Sequence, residues 1–377
     1  MRESARRGLE LLADDKFSRG NAVSIMRDRQ IFFGSMFQAL ARARLSISIE
    51  MYAIWDGYVG TQLVDLLCDR ARTGVETRII IDGIGSRALS RTSLQRLRSS
   101  GATVVVHHPP SLRGMQRVFR RTHRKLVIVD ADAAFVGGFN FIDQFIGVPW
   151  GHEPWFDYVV QFSGPAVARA CASFEVSWKA KAPPSLARRT AAGSPRRRGP
   201  YDLLLINSPV ETGRHTVAKM QEHVLASARK RMWLRNPFLL PARHLVKTFA
   251  DAVDRGVDIR VIVPGERSPH RLMLHANRHK YAALHAAGVV IYEYQPAMMH
   301  AKTAVLDGRF VLIGSANADP RSAKWNEELT LVMDAAPLAR EEEQSFEQDL
   351  LACVQVHRNR VRGRLIETIA GMAERYL

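Results

Sequence analysis

The sequence predicts an α/β protein formed by two duplicated α/β/α sandwich domains. Two observations predict it: one helix-to-strand pattern occurs twice at a fixed offset, and a Pro/Arg-rich stretch unsuited to a core separates the copies. LVDLLCDRARTGVETRIIIDG, Leu63 to Gly83, matches LVKTFADAVDRGVDIRVIVPG, Leu245 to Gly265. Each copy reads as an amphipathic helix closed by a glycine, Gly74 or Gly256, followed by a β-branched strand that ends in another glycine.

The match continues on both sides. A strand over Leu45 to Asp56 precedes the first unit, and Lys230 to Pro241 precedes the second. After them, RSSGATVVVHHP corresponds to HAAGVVIYEYQP. Such alternation predicts a mostly parallel sheet in each half. Between the halves, KAKAPPSLARRTAAGSPRRRGP reads as an exposed basic linker, which divides the chain into 1–178, a linker at 179–200, and 201–377. The stretch from Pro337 to Leu377 reads as helical, with an amphipathic end, RLIETIAGMAERYL, expected to pack on the second domain.

Composition narrows the functional classes. With 377 residues, 46% hydrophobic and 24% charged, each half can build a core. No run of about 18 apolar residues is present, and MRESARRGLELLADDKF lacks a secretion signal's apolar stretch. The expected location is the cytosol or the cytoplasmic face of the membrane, held peripherally. Cys68, Cys171 and Cys353 lie far apart, without the spacing of a disulfide framework or a zinc site, and no cofactor is expected. Lys and Arg number 54 against 37 Asp and Glu, a formal net charge of +17 that suits a polyanion, either nucleic acid or an anionic lipid surface.

The chemistry is carried by a signature in each half: His123-Arg124-Lys125 with Asp130, and His300-Ala301-Lys302 with Asp307. On a strand, residues two apart face one side, so imidazole and ammonium should project together. Lysine repels a cation, which argues against a metal. The pair suits a phosphate: Lys neutralises a non-bridging oxygen while His meets phosphorus or a bridging oxygen. A second strand follows each motif and brings Gly138 with Asn140, or Ser315 with Asn317, onto a face where Asn140, Ser315 and Asn317 are candidate substrate contacts. A lone His-x-Lys carries little weight; two copies in matching contexts carry much more.

These residues, H-x-K-x(4)-D followed by G-[GS]-x-N in duplicate, resemble the phospholipase D superfamily over nearly the whole chain. More narrowly, VFRRTHRKLVIVDADAAFVGGFNF, FLLP, IYEYQPAMMHAKTAVLDG and IGSANADPRS resemble bacterial cardiolipin synthases of the B type. The resemblance implies two phospholipase D-like halves packed about a pseudo-two-fold axis, with both motifs at one site. It implies a catalytic set of His123, Lys125, Asp130, His300, Lys302 and Asp307, and a phosphohistidine intermediate with His123 as nucleophile and His300 as acid and base. Asp130 and Asp307 fall off the His/Lys face of a regular strand and are expected to brace the site from turns. The family places a His-orienting acid after each Asn, here Asp157 and Glu328. Gly138 departs from the common family serine, which weakens the expected phosphate contact of the first motif.

Three functions follow for test. The first is a phosphatidyltransferase that moves a phosphatidyl group between phosphatidylglycerol molecules, yielding cardiolipin and glycerol. Arg235-Asn236-Pro237 and Trp325-Asn326-Glu327 are expected near the acceptor, which leaves phosphatidylethanolamine, another polyol or a sugar alcohol open. The second is a hydrolase of the same superfamily, a phospholipase or nuclease, although no stacking or groove-reading pattern favours nucleic acid. The third is a non-catalytic binder of anionic surfaces. The loop from Pro109 to Arg121 mixes Leu112, Met115, Val118 and Phe119 with arginines and is expected to dip into a lipid surface, with Trp150 and Trp155 as further interfacial candidates.

Overall fold

A computed structural model describes residues 2–109, 120–147, 153–183, 186, 196–208 and 215–357. The first half contributes β1 (Ser18–Met26), β2 (Ser46–Met51), β3 (Glu76–Asp82), β4 (Thr103–His107), β5 (Arg121–Thr122), β6 (Lys125–Val129), β7 (Ala133–Gly137) and β8 (Val159–Ser163). The second contributes β9 (Tyr201–Ser208), β10 (Arg231–Arg235), β11 (Asp258–Pro264), β12 (Val290–Tyr294), β13 (Thr303–Leu306), β14 (Phe310–Gly314), β15 (Asn326–Asp334) and β16 (Cys353–Gln355).

Apart from β5, these strands join in one continuous sheet, ordered β4-β3-β2-β6-β7-β8-β1-β9-β15-β14-β13-β10-β11-β12-β16. Outward from the central β1–β9 pair, the order in one half repeats that of the other, which is the pseudo-two-fold relation in strand form. β1 and β9 run antiparallel, with Ser18 opposite Leu203 and Asn21 opposite Tyr201.

Within this sheet of the described residues, β2, β3 and β4, and likewise β10, β11 and β12, pair in parallel. The remaining neighbours are antiparallel, so the expected mostly parallel sheet is corrected to a mixed one. The reason is connection length. Helix Tyr58–Arg72 is a crossover long enough to return the chain in the same direction, whereas β6 and β7 are joined only by Asp130, Ala131 and Asp132. The crossover helices stop where the sequence requires: Gly74 and Gly256 adopt φ of +90° and +84°, beyond Leu63, Leu67, Leu245 and Phe249 on the buried faces.

One core cluster mixes residues of both halves, including Leu126, Tyr158 and Phe174 with Leu205, Trp233 and Phe346. The boundaries at 179 and 201 therefore mark a change of sequence character across a shared sheet and shared packing. The expected basic linker also begins later than drawn. Helix Ala166–Lys181 runs through its first three residues, and the Lys181 ammonium is buried against Glu50 at 3.4 Å and Glu327 at 2.6 Å. At the other end, helix Ala336–Leu350 gives way to β16, antiparallel to β12, so the expected helix does not continue through Cys353. The amphipathic segment Arg364 to Leu377, the loop side chains Leu112, Met115, Val118 and Phe119, and Trp150 lie outside the described residues.

Candidate active site

Each motif histidine sits just before its strand rather than within it, and its backbone is tied to the opposite half. β5 pairs in parallel with β15, and the His123 amide donates to the Glu327 carbonyl at 2.9 Å. Its counterpart repeats the arrangement: the His300 amide donates to the Phe156 carbonyl at 2.8 Å, beside a bridge between Phe156 and Met299. The chain thus carries each histidine across the pseudo-two-fold to the acid-bearing segment of the other half.

That crossing decides which acid serves which ring. Glu328 of the second half lies 3.0 Å from His123 Nδ1 with either oxygen, and Asp157 of the first half lies 2.7 Å from His300 Nδ1. A carboxylate on Nδ1 fixes the tautomer and leaves Nε2 for chemistry. Both histidines line one cavity of about 390 Å³ with Asn140, Asn317, Tyr52, Trp155 and Phe238.

Lysine placement differs between the motifs. Lys125 Nζ donates to the His123 carbonyl at 2.7 Å and lies 5.1 Å from the Tyr52 ring centre. Lys302 Nζ bonds the His300 carbonyl and also sits 2.9 and 3.0 Å from the two ring nitrogens of His300. Burial drives both ammonium groups down, Lys125 well below the ordinary lysine value and Lys302 to about 8. Burial likewise lowers His123 to about 4 and His300 well below its usual value, with neighbouring lysines adding to the effect. Both rings are therefore neutral at pH 7.

The acids diverge. Glu328 resists the upward push of burial because His123, Lys125 and the Ser315 hydroxyl favour its charged form, so its net shift is downward. Ser322 Oγ donates to it at 2.7 Å and Asn326 Nδ2 at 3.4 Å. Asp157 has His300 and the Tyr158 amide at 2.7 Å, and burial raises it to about 7.

The structure reassigns several expected contacts. Ser315 is wholly buried; its hydroxyl donates to Glu328 and accepts from the Leu329 amide at 3.0 Å, so it positions an acid and does not line the cavity. Asn140 accepts the Ala53 amide at 3.1 Å through Oδ1, which leaves its amide nitrogen for the cavity. Asn317 also lines the cavity, and its buried Oδ1 has no partner among the described residues. Gly138 occupies the place of Ser315 in the first half. A Cβ there would meet Asp157 Oδ1 at 2.5 Å, so the glycine makes room for the acid.

Asp130 and Asp307, included above in the catalytic set, lie past the far ends of β6 and β13, roughly 17 Å along the strand from the lysine end. Both adopt φ of 53°. Asp130 accepts the amides of Arg44, Leu45 and Ser46, and Asp307 those of Arg229, Lys230 and Arg231. They anchor the starts of β2 and β10 and hold the sheet from turns. Arg235, expected near the acceptor, is buried on the Asp349, Glu342 and Ser345 side chains; Glu327 is held by Lys181. Asn236 caps the Phe238 and Ala318 amides, and Trp325 is 41% exposed; of these candidates, only Asn326 lines the cavity.

Sequence reasoning missed His270, Met273, Arg87 and Arg121, which also line the cavity. None belongs to the repeated signature, and they meet the site only through loops following β3 and β11 or through the segment before His123. Arg321, within the quoted IGSANADPRS, had a local signal and was not singled out.

A family model described as "Cardiolipin synthase, PLD-like domain" matches residues 36–148 and 222–350. The chain is 32% identical over 335 residues to cardiolipin synthase A of Pseudomonas entomophila (strain L48), an alignment covering 87% of this chain and 68% of that one. It is 28% identical over 321 residues to the cardiolipin synthase of Alkalihalophilus pseudofirmus, covering 84% and 64% respectively. The Pseudomonas relative is of type A, so the match carries the family and not the narrower B type. Among solved structures, phosphatidylserine synthase from Haemophilus influenzae Rd KW20 shares the fold, with a TM-score of 0.76 at 12% identity over 99% of this chain and 97% of that one.

Proposed function

Because this chain belongs to the cardiolipin synthase family of PLD-like domains, we propose that it is a phosphatidyltransferase that joins two phospholipids without a nucleotide or metal cofactor. The observation that carries the reading is the convergence of two neutral histidines, each backed by a carboxylate from the opposite half, on one cavity.

His123 is the nucleophile. Its Nδ1–H rests on an ionised Glu328, which raises the basicity of Nε2 toward phosphorus. His300 is the poorer nucleophile, because the Lys302 ammonium stands 2.9 and 3.0 Å from its two ring nitrogens and its charge lowers the basicity of the ring. That same ammonium, with Asp157 near pH 7, gives His300 the proton supply of a general acid. In the first step His123 Nε2 bonds to phosphorus, the bond from phosphorus to the head-group oxygen breaks, and the departing alcohol takes a proton through His300. In the second, an acceptor hydroxyl returns a proton to His300, its oxygen bonds to phosphorus, and the bond to His123 breaks. Asn140 and Asn317, which line the cavity, hold the non-bridging oxygens, and the ammonium charges of Lys125 and Lys302 behind the histidines stabilise them.

With phosphatidylglycerol as donor and acceptor, the products are cardiolipin and glycerol. The net charge of +17 suits an anionic lipid surface, and peripheral attachment at the cytoplasmic face of the membrane is part of the proposal. No helix among the described residues is long and apolar enough to cross a membrane.

The test is incubation of purified protein with phosphatidylglycerol vesicles and, separately, with single-stranded DNA. Cardiolipin with stoichiometric glycerol is expected. Phosphatidic acid alone would replace the transferase reading with a phospholipase, nicked DNA with a nuclease, and an absence of turnover with a binding protein.

A further inference from the structure

A transferase must hold an alcohol beside the phosphoenzyme and favour it over water, and the cavity holding the two histidines is not the whole of the cleft. A second cavity of about 780 Å³ adjoins it and shares Trp55, Trp155 and His270 with it. This second arm contains neither His-x-Lys motif, so it offers room without the groups that attack phosphorus.

The second arm opens on the side of His300. Trp155 contacts two imidazoles, tilted against His300 at 5.5 Å and 34° and edge-on to His270 at 5.5 Å and 70°. Phe145 sets its edge on His300 at 5.4 Å, and the adjacent Asp143 and Gln144 line the second arm, as does Met298, two residues before His300. His123 faces Tyr52 instead, at 5.0 Å, and is not part of the second arm's lining. An in-line displacement puts nucleophile and leaving alcohol on opposite sides of phosphorus, so with His123 attacking, the alcohol departs and the acceptor enters on the His300 side.

At the junction stands His270. Its ring is held edge-on by Trp155 and by Phe238 at 5.8 Å, and its nitrogens have no hydrogen-bond partner among the described residues. Several other polar groups there are engaged: the Asp143 carboxylate accepts the Tyr58 and Val59 amides at 2.9 Å, and Glu266 pairs with Arg271 and Arg278. Burial and Lys302 hold the His270 imidazole below its ordinary value, in the neutral form that can accept a hydroxyl proton or donate to a hydroxyl oxygen.

We infer that the arm bounded by Trp55, Trp155 and His270 is the alcohol subsite of this enzyme, and that His270 binds a hydroxyl of the polyol head group that leaves or attacks there. The inference rests on the phosphatidyltransferase reading and adds the place and the residue that separate transfer from hydrolysis. A site built to hydrogen-bond a substrate hydroxyl discriminates strongly by that contact, whereas water reaches the phosphoenzyme without it.

The experiment compares wild type with His270→Ala and His270→Gln on phosphatidylglycerol vesicles, measuring cardiolipin, phosphatidic acid and total donor consumed. The ratio of cardiolipin to phosphatidic acid is expected to fall at least tenfold in His270→Ala, with partial recovery in His270→Gln. An unchanged ratio, or a proportional loss of both products, overturns the subsite. Wild-type protein that consumes the lipid but forms no transfer product overturns the function reading itself, and the subsite with it.

Discussion

The two halves carry the same motif and surround it differently. Around His123, the second half supplies Glu328, held by the hydroxyls of Ser315 and Ser322 and by Asn326, and four donors including the imidazole keep that acid ionised despite burial. Around His300, the first half supplies the shorter Asp157, with the imidazole and the Tyr158 amide as its hydrogen-bond donors among the described residues, and burial raises it to about 7. Gly138 and Ser315 encode this difference at equivalent positions: the serine hydroxyl stabilises a carboxylate, while the glycine lets one approach the backbone. Duplication supplied two identical imidazole carriers, and the residues around them give the two rings different acids; on the proposed mechanism that difference makes one the nucleophile and the other the acid.

The sharpest way to break that comparison is to remove each imidazole. His123→Ala and His300→Ala should each lower turnover on phosphatidylglycerol by roughly 10⁴-fold or more, as loss of a nucleophile or its proton partner does elsewhere. Above a tenth of wild-type activity in both, the shared site is wrong. The pair then separates with a phosphatidyl donor whose leaving group needs no proton, such as a p-nitrophenol ester. His300→Ala should release p-nitrophenol in a burst and accumulate an acid-labile phosphohistidine, whereas His123→Ala should give neither. A burst in His123→Ala alone would reverse the assignment.

A smaller effect is expected from the acids. Glu328→Gln and Asp157→Asn should each cost on the order of 10²–10³ in turnover, since each fixes a tautomer rather than reacting. Their stabilities should part company. Asp157 has a folded value raised to about 7 from the ordinary 3.8, so its contribution is most favourable at acid pH and is lost as pH rises through about 7. Asp157→Asn should therefore raise the melting temperature at pH 8, by roughly 2–4 °C per kcal/mol recovered, and by distinctly less at pH 5, where only part of that contribution has been lost. Thermal denaturation at the two pH values checks this, and equal shifts at both would refute it.

The pH profile sharpens the comparison further. kcat/KM should fall on the alkaline side as Lys302 loses its proton near 8, because the charged ammonium is the active form. Lys302→Arg should move that limb above pH 10 in whatever activity it retains. An alkaline limb unmoved by the substitution would assign it to another group.

The smallest effect on catalysis belongs to the turn acids. Asp130→Ala and Asp307→Ala should each destabilise the fold by about 1–3 kcal/mol through lost amide caps, visible in urea denaturation, with turnover of the remaining folded protein within threefold of wild type. A hundredfold loss of turnover in stably folded protein would return these residues to the catalytic set.

Much of this was legible in the chain. The repeat around Leu63 and Leu245 anticipated the matching strand order, and the two signatures located His123, Lys125, His300 and Lys302. The family resemblance pointed to Asp157 and Glu328 as acids after Asn140 and Asn317, and each carboxylate lies on a motif histidine. What misled was local regularity: reading His-x-Lys as strand put His123 inside β6, although its backbone belongs to a bridge with β15. His270 and Trp155 left no repeated pattern to find, because their roles come from loops that meet only in the folded chain.

The sequence by itself determined the duplicated units, the helix stops at Gly74 and Gly256, and the side chains proposed to do the chemistry, because periodicity, left-handed φ and side-chain type are local properties. Only the tertiary structure decided that Glu328 holds His123 and Asp157 holds His300. That exchange depends on β1 meeting β9 at the centre of one sheet and on each histidine segment pairing with the opposite half. Such long-range pairings are chosen by the packing of the whole sheet, and a repeat that writes the same signature twice does not say which copy of the acid faces which ring.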